Sequence, residues 1–190
     1  MYQKYNTEAL VLGSRETGES DRVYALFTKD FGLVRARASS VRSEKSLMRY
    51  ALQNYSRANV SLVKGRRGWR AAGAAAVKTA SGDVRGVSAF ARISELVLRL
   101  IHGEEANEYL FAALSEAHDA LMQEKCDAFG MIEIVCVARI LYTLGYISNE
   151  ALSTALFTHT AYTGESLLEA ETMRDKLLSS INKAIAETQL

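Results

Sequence analysis

Proline is absent from the chain and cysteine nearly so, with two cysteines, three histidines and one tryptophan in 190 residues. Without proline there is no proline-rich linker, and no low-complexity tract or clear internal repeat takes its place. Cys126 and Cys136 fall in helical sequence. If one helix joins them they lie about 15 Å apart along its axis, too far for a disulfide, whose Cα atoms must come within about 7 Å. No C-x-x-C or H-x-x-x-H spacing links them to His102, His118 or His159, so no structural metal is expected. Long apolar runs are missing too. Residues 131–147 (MIEIVCVARILYTLGYI) come nearest, but Glu133 and Arg139 sit in the middle, where hydrocarbon penalises charge. That segment reads as a buried core helix. The amino terminus, MYQKYNTEALVLG, has neither a long apolar stretch nor a small-residue cleavage site, and a cytoplasmic location is the expectation.

Catalytic signatures are equally scarce. GSRETGES, residues 13–20, has Walker-like G-x-x-x-x-G spacing, but Glu19 stands where lysine is needed and would repel a phosphate. There is no G-x-S-x-G elbow, no H-E-x-x-H and no paired-aspartate motif for metal-dependent phosphoryl chemistry. No catalytic residue, cofactor or enzyme activity is predicted.

What the chain does have is a charge split. Its formal net charge is only +1, yet residues 1–87 hold 16 Lys and Arg against 7 Asp and Glu, and residues 88–190 hold 7 against 15. Residues 35–70 are sharper still, with ten basic side chains and one acidic, Glu44. Halves of opposite sign imply different partners, since a phosphate backbone is attracted to one and repelled by the other.

Hydrophobic period changes at the same place. In GLVRARA, residues 32–38, Val34, Ala36 and Ala38 alternate with Leu33, Arg35 and Arg37, the two-residue repeat of a half-buried strand with arginines on its open face. Similar runs at residues 8–14, 22–28, 58–64 and 69–77 are separated by turn sequences such as TGES, KDFG and KGRRG. Five short strands with a helical insert, SEKSLMRYAL at residues 43–52, are the ingredients of an OB-type barrel. Beyond SGDVRG the period is helical. One stripe runs through Phe90, Ile93, Val97 and Leu100, another through Leu110, Leu114, Ala117 and Leu121. Residues 131–146 form a central helix, and a last helix opens on a Ser166/Glu169 capping box with Leu177, Leu178, Ile181 and Ile185 inward. The expected fold is therefore α+β and multidomain: an OB barrel over residues 1–80, then an all-helical domain over 81–190.

A groove for nucleic acid needs cations to displace counterions and, for single strands, flat side chains on which bases stack. The barrel sequence interleaves the two: Arg22 with Tyr24, Arg49 with Tyr50, Tyr55 with Arg57, and Arg67 with Trp69 and Arg70. The cations taken together point to a phosphate-binding face, because a merely solvated face mixes signs. Each aromatic taken alone is read first as barrel closure, Trp69 included.

These residues resemble a known family. ESDRVYALFTKDFG, VRSEKSLMRYALQNYS and GRRG, in that order and spacing, are similar to the amino-terminal OB domain of the RecO family of bacterial recombination mediators. CVARILYTLGY and YTGESL resemble segments of its helical part. Departures are Cys136 and Val137 for the family's Phe-Glu, Asn54 for its Pro, Ser39 and Ser40 for its Lys-Gly, and the absence from residues 147–162 of the four-cysteine zinc module of many members. The resemblance thus implies a compact member without zinc. It places Arg42, Lys45 and Arg49 in the family's basic segment and Arg67 at its hairpin arginine. It further implies binding of single-stranded and duplex DNA, strand annealing, and help, with RecR, in loading RecA onto strands coated with single-stranded-DNA-binding protein, in the bacterial cytoplasm at the nucleoid and without nucleotide hydrolysis. The expected DNA contacts are Arg35, Arg37, Arg42, Lys45, Arg49, Lys64, Arg66, Arg67 and Arg70, with Tyr24, Tyr55 or Trp69 stacking. For the acidic tail of the single-stranded-DNA-binding protein, Arg92, Arg99, Lys125 and Arg139 are candidates, although pairing of Arg139 with Glu133 or Glu150 is the first reading. An OB-type RNA-binding module and a protein scaffold with a basic docking face are the alternatives.

Overall fold

The alternation at residues 32–38 becomes a strand with both arginines exposed and the alanines and valine buried in a computed structural model, which describes residues 3–123, 128–148 and 155–187. Five strands precede the helical sequence: β1 Lys4–Thr17, β2 Asp21–Thr28, β3 Gly32–Ala38, β4 Arg57–Gly65 and β5 Gly68–Lys78. They close in the order β1-β2-β3-β5-β4, with β4 returning to β1 and β3 running parallel to β5. That is the OB arrangement expected from the sequence.

β1 is 14 residues long, twice the expected run, because it serves two neighbours. Its first half pairs with β4 from Lys4 to Leu10, and its second pairs with β2 from Ala9 to Thr17. A register shift between Val11 and Gly13 is the bulge that bends one strand around the barrel. The insert between β3 and β4 is shorter than expected. Only α1, Met48–Ala51, is helical, and Leu47 before it offers no side-chain cap.

Inside the barrel small residues, Ala9, Ala36, Ala38, Ala58 and Ala71, make room for Tyr24, Leu26, Leu62 and Trp69. Tyr5, Phe31 and Trp69 meet with ring centroids 5.3 to 5.6 Å apart, Tyr5 edge-to-face with both of the others, a geometry aromatic quadrupoles favour, and Phe31 tilted at 46° to Trp69. The barrel unit is Met1–Ser81 together with Ser94–Glu108. Gly32, at φ +62°, turns the chain into β3, and its Cα hydrogen faces the backbone of Glu105 so closely that a Cβ would stand 2.1 Å from the Glu105 carbonyl oxygen.

The second unit is Gly82–Ile93 together with Tyr109–Leu190. The division falls within α2, Val84–Leu100; then come α3 Glu108–Leu121, α4 Phe129–Thr143, a 3-10 turn Ala155–Phe157, α5 Gly164–Thr172 and α6 Arg174–Glu187. Gly86 lets α2 approach the end of α3, since a Cβ there would meet the Leu121 carbonyl oxygen at 2.1 Å and the Phe129 ring at 2.9 Å. Nine of the fifteen residues of α4 are buried, and among the described residues no helix is long and apolar enough to cross a membrane. Where one last helix was expected there are two, parted at Met173. The cap is not Ser166 but Thr163, which is extended at φ −77°, ψ 160° and accepts the Ser166 N–H on Oγ1 at 3.2 Å. Leu177 and Ile181 are buried as the helical stripe required, joined by Ala184.

Candidate nucleic-acid interface

The outer wall of β3 and β5 and the loops at its two ends carry the cations. Alternation turns Arg35 and Arg37 outward, and the parallel ladder sets Arg70 beside Arg37. Gly65 and Gly68 pair across the β4–β5 hairpin, leaving Arg66 and Arg67 at its tip, and Gly68 supplies the positive φ of +98° that closes the turn. Arg66, Arg67 and Arg70 border a hollow of about 280 Å³ floored by Val63 and the two glycines. Lys64 differs from them. Its ammonium lies 5.0 Å over the Trp69 ring and 2.8 Å from Glu104, and this pairing holds the Glu104 carboxyl below its usual range against a smaller opposing effect of burial.

At the other end of β3 the chain enters the segment that bears Arg42, Lys45 and Arg49. Asp21 clips its start: one carboxylate oxygen accepts the Ser40 N–H at 2.7 Å and the other accepts Arg37 Nε at 2.8 Å. Ser40 takes φ +52° to make that contact. Both bonds favour the charged carboxylate, the Ser40 amide most, and hold Asp21 below the usual aspartate range. Arg42 is tied to the β1–β2 turn through its backbone N–H to the Ser20 carbonyl at 3.0 Å and its Nη1 to the Glu19 carbonyl at 3.1 Å. Between β2 and this segment lies a cleft of about 530 Å³, walled by Arg22, Arg42 and Arg49 and floored by Tyr24, Val41 and Leu52. The Walker-like stretch at residues 13–20 forms the end of β1 and its turn, with no helix following, so it has no phosphate cradle.

Three aromatic residues were expected to offer faces for stacking. Tyr24 is 1% exposed and Trp69 6%, both within the barrel core. Their rings are consumed by closing a small barrel and present no face to a base in this conformation. Tyr55 is half-buried at φ +66°, with its N–H donated to the Val11 carbonyl at 2.7 Å. The exposed ring is one the stacking set omitted: Tyr50 is 53% exposed with the Arg49 guanidinium 4.6 Å from its centroid. The adjacency of Arg49 and Tyr50 was visible in sequence, but which way a one-turn helix faces was not.

Folding also mixes signs where the linear sequence did not. Arg37 pairs with Asp21, Arg42 and Arg22 with Glu16, and Lys64 with Glu104. These carboxylates come from outside residues 35–70, so reading that run alone missed them. Arg35, Lys45, Arg66, Arg67 and Arg70 are exposed, and no ion pair is found for them or for the half-buried Arg49 among the described residues.

The cations suggested for a protein partner are placed differently. Arg92 makes a bidentate pair with Glu133, both N···O distances 2.6 Å. Arg139 is fully buried and pairs with no carboxylate among the described residues. It donates to the carbonyls of Leu156, Thr160 and Ala161 at 3.0, 2.6 and 3.2 Å and stacks 4.5 Å over Tyr162. It is a structural clamp with no surface to offer. Arg99 is exposed. Lys125 and Glu150 lie outside the described residues.

Known proteins are similar in sequence to the barrel half of the chain. The family model for the Recombination protein O N terminal matches residues 1–72, from β1 through the β4–β5 hairpin. A DNA repair protein RecO of Desulfitobacterium hafniense is 44% identical over 62 residues, covering 33% of this chain and 23% of that protein. The similarity to RecO of Dehalococcoides mccartyi runs on into the helices, 26% identical over 169 residues, 77% of this chain and 66% of the relative. The similarity is thus to RecO proteins, over the barrel sequence and, at lower identity, into the helices. A third RecO, from Nostoc sp., is 28% identical over 137 residues, 70% of this chain and 46% of its own length. Each match spans less than two thirds of the relative's length. Arg42, Lys45, Arg49, Lys64, Arg66, Arg67 and Arg70 all lie inside the RecO amino-terminal match.

Proposed function

We propose that this chain is a member of the RecO family and acts in DNA repair as a recombination mediator, binding and annealing single strands on the barrel. It helps load RecA onto strands coated with single-stranded-DNA-binding protein, without hydrolysing nucleotide. The observation that carries this reading is the row of cations along β3, β5 and their flanking loops, of which Arg35, Lys45, Arg49, Arg66, Arg67 and Arg70 have no acidic partner found among the described residues. Such a row matches the spaced charges of a phosphate backbone. With Tyr24 and Trp69 inside the barrel, binding rests on phosphates more than on stacked bases, and Tyr50 beside Arg49 is the ring that a base can reach. The acidic half, residues 88–190, faces protein partners: RecR, and the acidic tail of the single-stranded-DNA-binding protein through local cations such as Arg99.

The test is annealing of complementary strands coated with single-stranded-DNA-binding protein, with that protein's acidic tail present or deleted. The mediator reading expects annealing that weakens when the tail is removed; no acceleration in either case would rule it out. Competition between DNA and RNA of one sequence separates it from an RNA-binding module, which would read the 2′-hydroxyl and prefer RNA. A protein scaffold would shift neither strand at low salt.

A further inference from the structure

We propose that the cleft between Arg22, Arg42 and Arg49 is a subsite for one backbone phosphate of single-stranded DNA, and that Glu16 fills the phosphate position as an internal competitor until the strand displaces it. This rests on the DNA-binding reading above and assigns it a specific place. The Glu16 carboxylate spans the two arginines with separate oxygens, Oε1 3.0 Å from Arg22 Nη2 and Oε2 3.3 Å from Arg42 Nη1. Two oxygens bridging two guanidinium groups is the geometry that the non-bridging oxygens of a phosphodiester adopt. Glu16 is 54% exposed at its side chain and the arginines 37% and 38%, so water already competes for the pair and its loss costs little. A strand phosphate arrives with neighbours held by Arg49 and Lys45, an advantage a lone carboxylate lacks.

The cleft has the room such an exchange needs. Its volume of about 530 Å³ lies within the roughly 300–1,000 Å³ range of small-ligand sites. Gln53 and Asn54 stand at its wall beside the arginines, polar groups that suit a phosphate and its sugar, while Tyr24, Val41 and Leu52 are buried behind them. Arg42 is also pre-placed by its bonds to Ser20 and Glu19, and Arg22 rises from β2 opposite Ala38. Arg42 therefore need not be ordered anew when the carboxylate leaves.

The experiment is fluorescence-anisotropy titration of a labelled oligo-dT by the full chain and three variants: Glu16→Gln, Arg22→Gln/Arg42→Gln, and the triple combination. Glu16→Gln should tighten binding by about 2- to 5-fold, the range set by removing an exposed ion pair. That gain should vanish in the background lacking both arginines. If Glu16→Gln leaves affinity unchanged or lowers it, or if the same gain persists without Arg22 and Arg42, the subsite is wrong and Glu16 acts only through the barrel's overall field. Failure of the DNA-binding reading has a different signature, since the unmodified chain would then not bind oligo-dT at all. Circular dichroism melts of each variant separate loss of binding from loss of fold.

Discussion

Arg139 shows at the scale of one residue what sequence could and could not say. Its position in an apolar helix marked it as paired, and pairing with Glu133 or Glu150 was the first reading. The structure gives Glu133 to Arg92 and sets Arg139 against three carbonyls of the 3-10 turn and the segment after it, and Tyr142 stacks on Phe157 of that turn at 4.4 Å. Backbone acceptors carry no sequence signal, so this clamp was not legible. Arg139→Met should strand those carbonyls and cost about 3 kcal/mol or more in urea unfolding, hydrogen bonds to a charged group being worth roughly 1.5–3 kcal/mol each. A loss within error would mean that water satisfies the carbonyls equally well. Cys136, on the same helix, is wholly buried, and burial pushes its thiol up to about 12. In a Cys126→Ser background the remaining thiol should resist a thiol reagent at pH 8 until the protein is unfolded; labelling of the native protein would contradict its placement. Asp21 is the residue that couples the site to pH. Its carboxyl is held below the ordinary 3.8, so its contribution is fully present above that value and lost as pH falls through the lower folded value. Below about 3.8 the segment after β3 should therefore loosen, seen as faster exchange of the Ser40 amide, and Asp21→Asn should exchange that amide fast at neutral pH as well.

Among the elements, the strands were read well because their signal is local. A period of two with arginine on one face specifies both a strand and its outward side, and β3 obeys it from Val34 to Ala38, whereas Leu33, on the arginine face by register, is buried. The bulge in β1 was not readable, since it answers to two partners distant in sequence. The division of the last helix was missed as well, and the Thr163 cap, within the same T-G-E-S pattern, lies three residues before the expected one. The site followed the same rule. Arg66 and Arg67 at a hairpin tip were evident from glycine spacing, whereas the acidic partners of Arg37, Arg42 and Lys64 come from other elements and emerge only on folding. Glycine spacing also hid two close approaches. Gly32→Ala places a side chain at φ +62° and against the Glu105 backbone, and Gly86→Ala drives one into the Leu121 carbonyl. Each should destabilise by at least about 1–2 kcal/mol, checked by thermal melting. Wild-type stability in either variant would mean that the adjoining segments move aside freely.

For the whole molecule, the informative quantity is the asymmetry hidden beneath a net charge of +1. A basic barrel attracts a polyanion and an acidic helical sequence repels it. Internal pairing trims the barrel's excess and concentrates it on the hairpin, the β3–β5 wall and the segment bearing Lys45 and Arg49. The central claim is that this row binds single-stranded DNA by neutralising phosphates. Its most direct measurement is the salt dependence of oligo-dT affinity for the full chain and for Arg66→Glu/Arg67→Glu/Arg70→Glu. Five phosphates neutralised predict that log affinity falls against log salt with a slope near about −3.5, and the triple variant should weaken binding and flatten that slope by about 2. A slope near zero, or a triple variant that binds like the unmodified chain, would contradict the account.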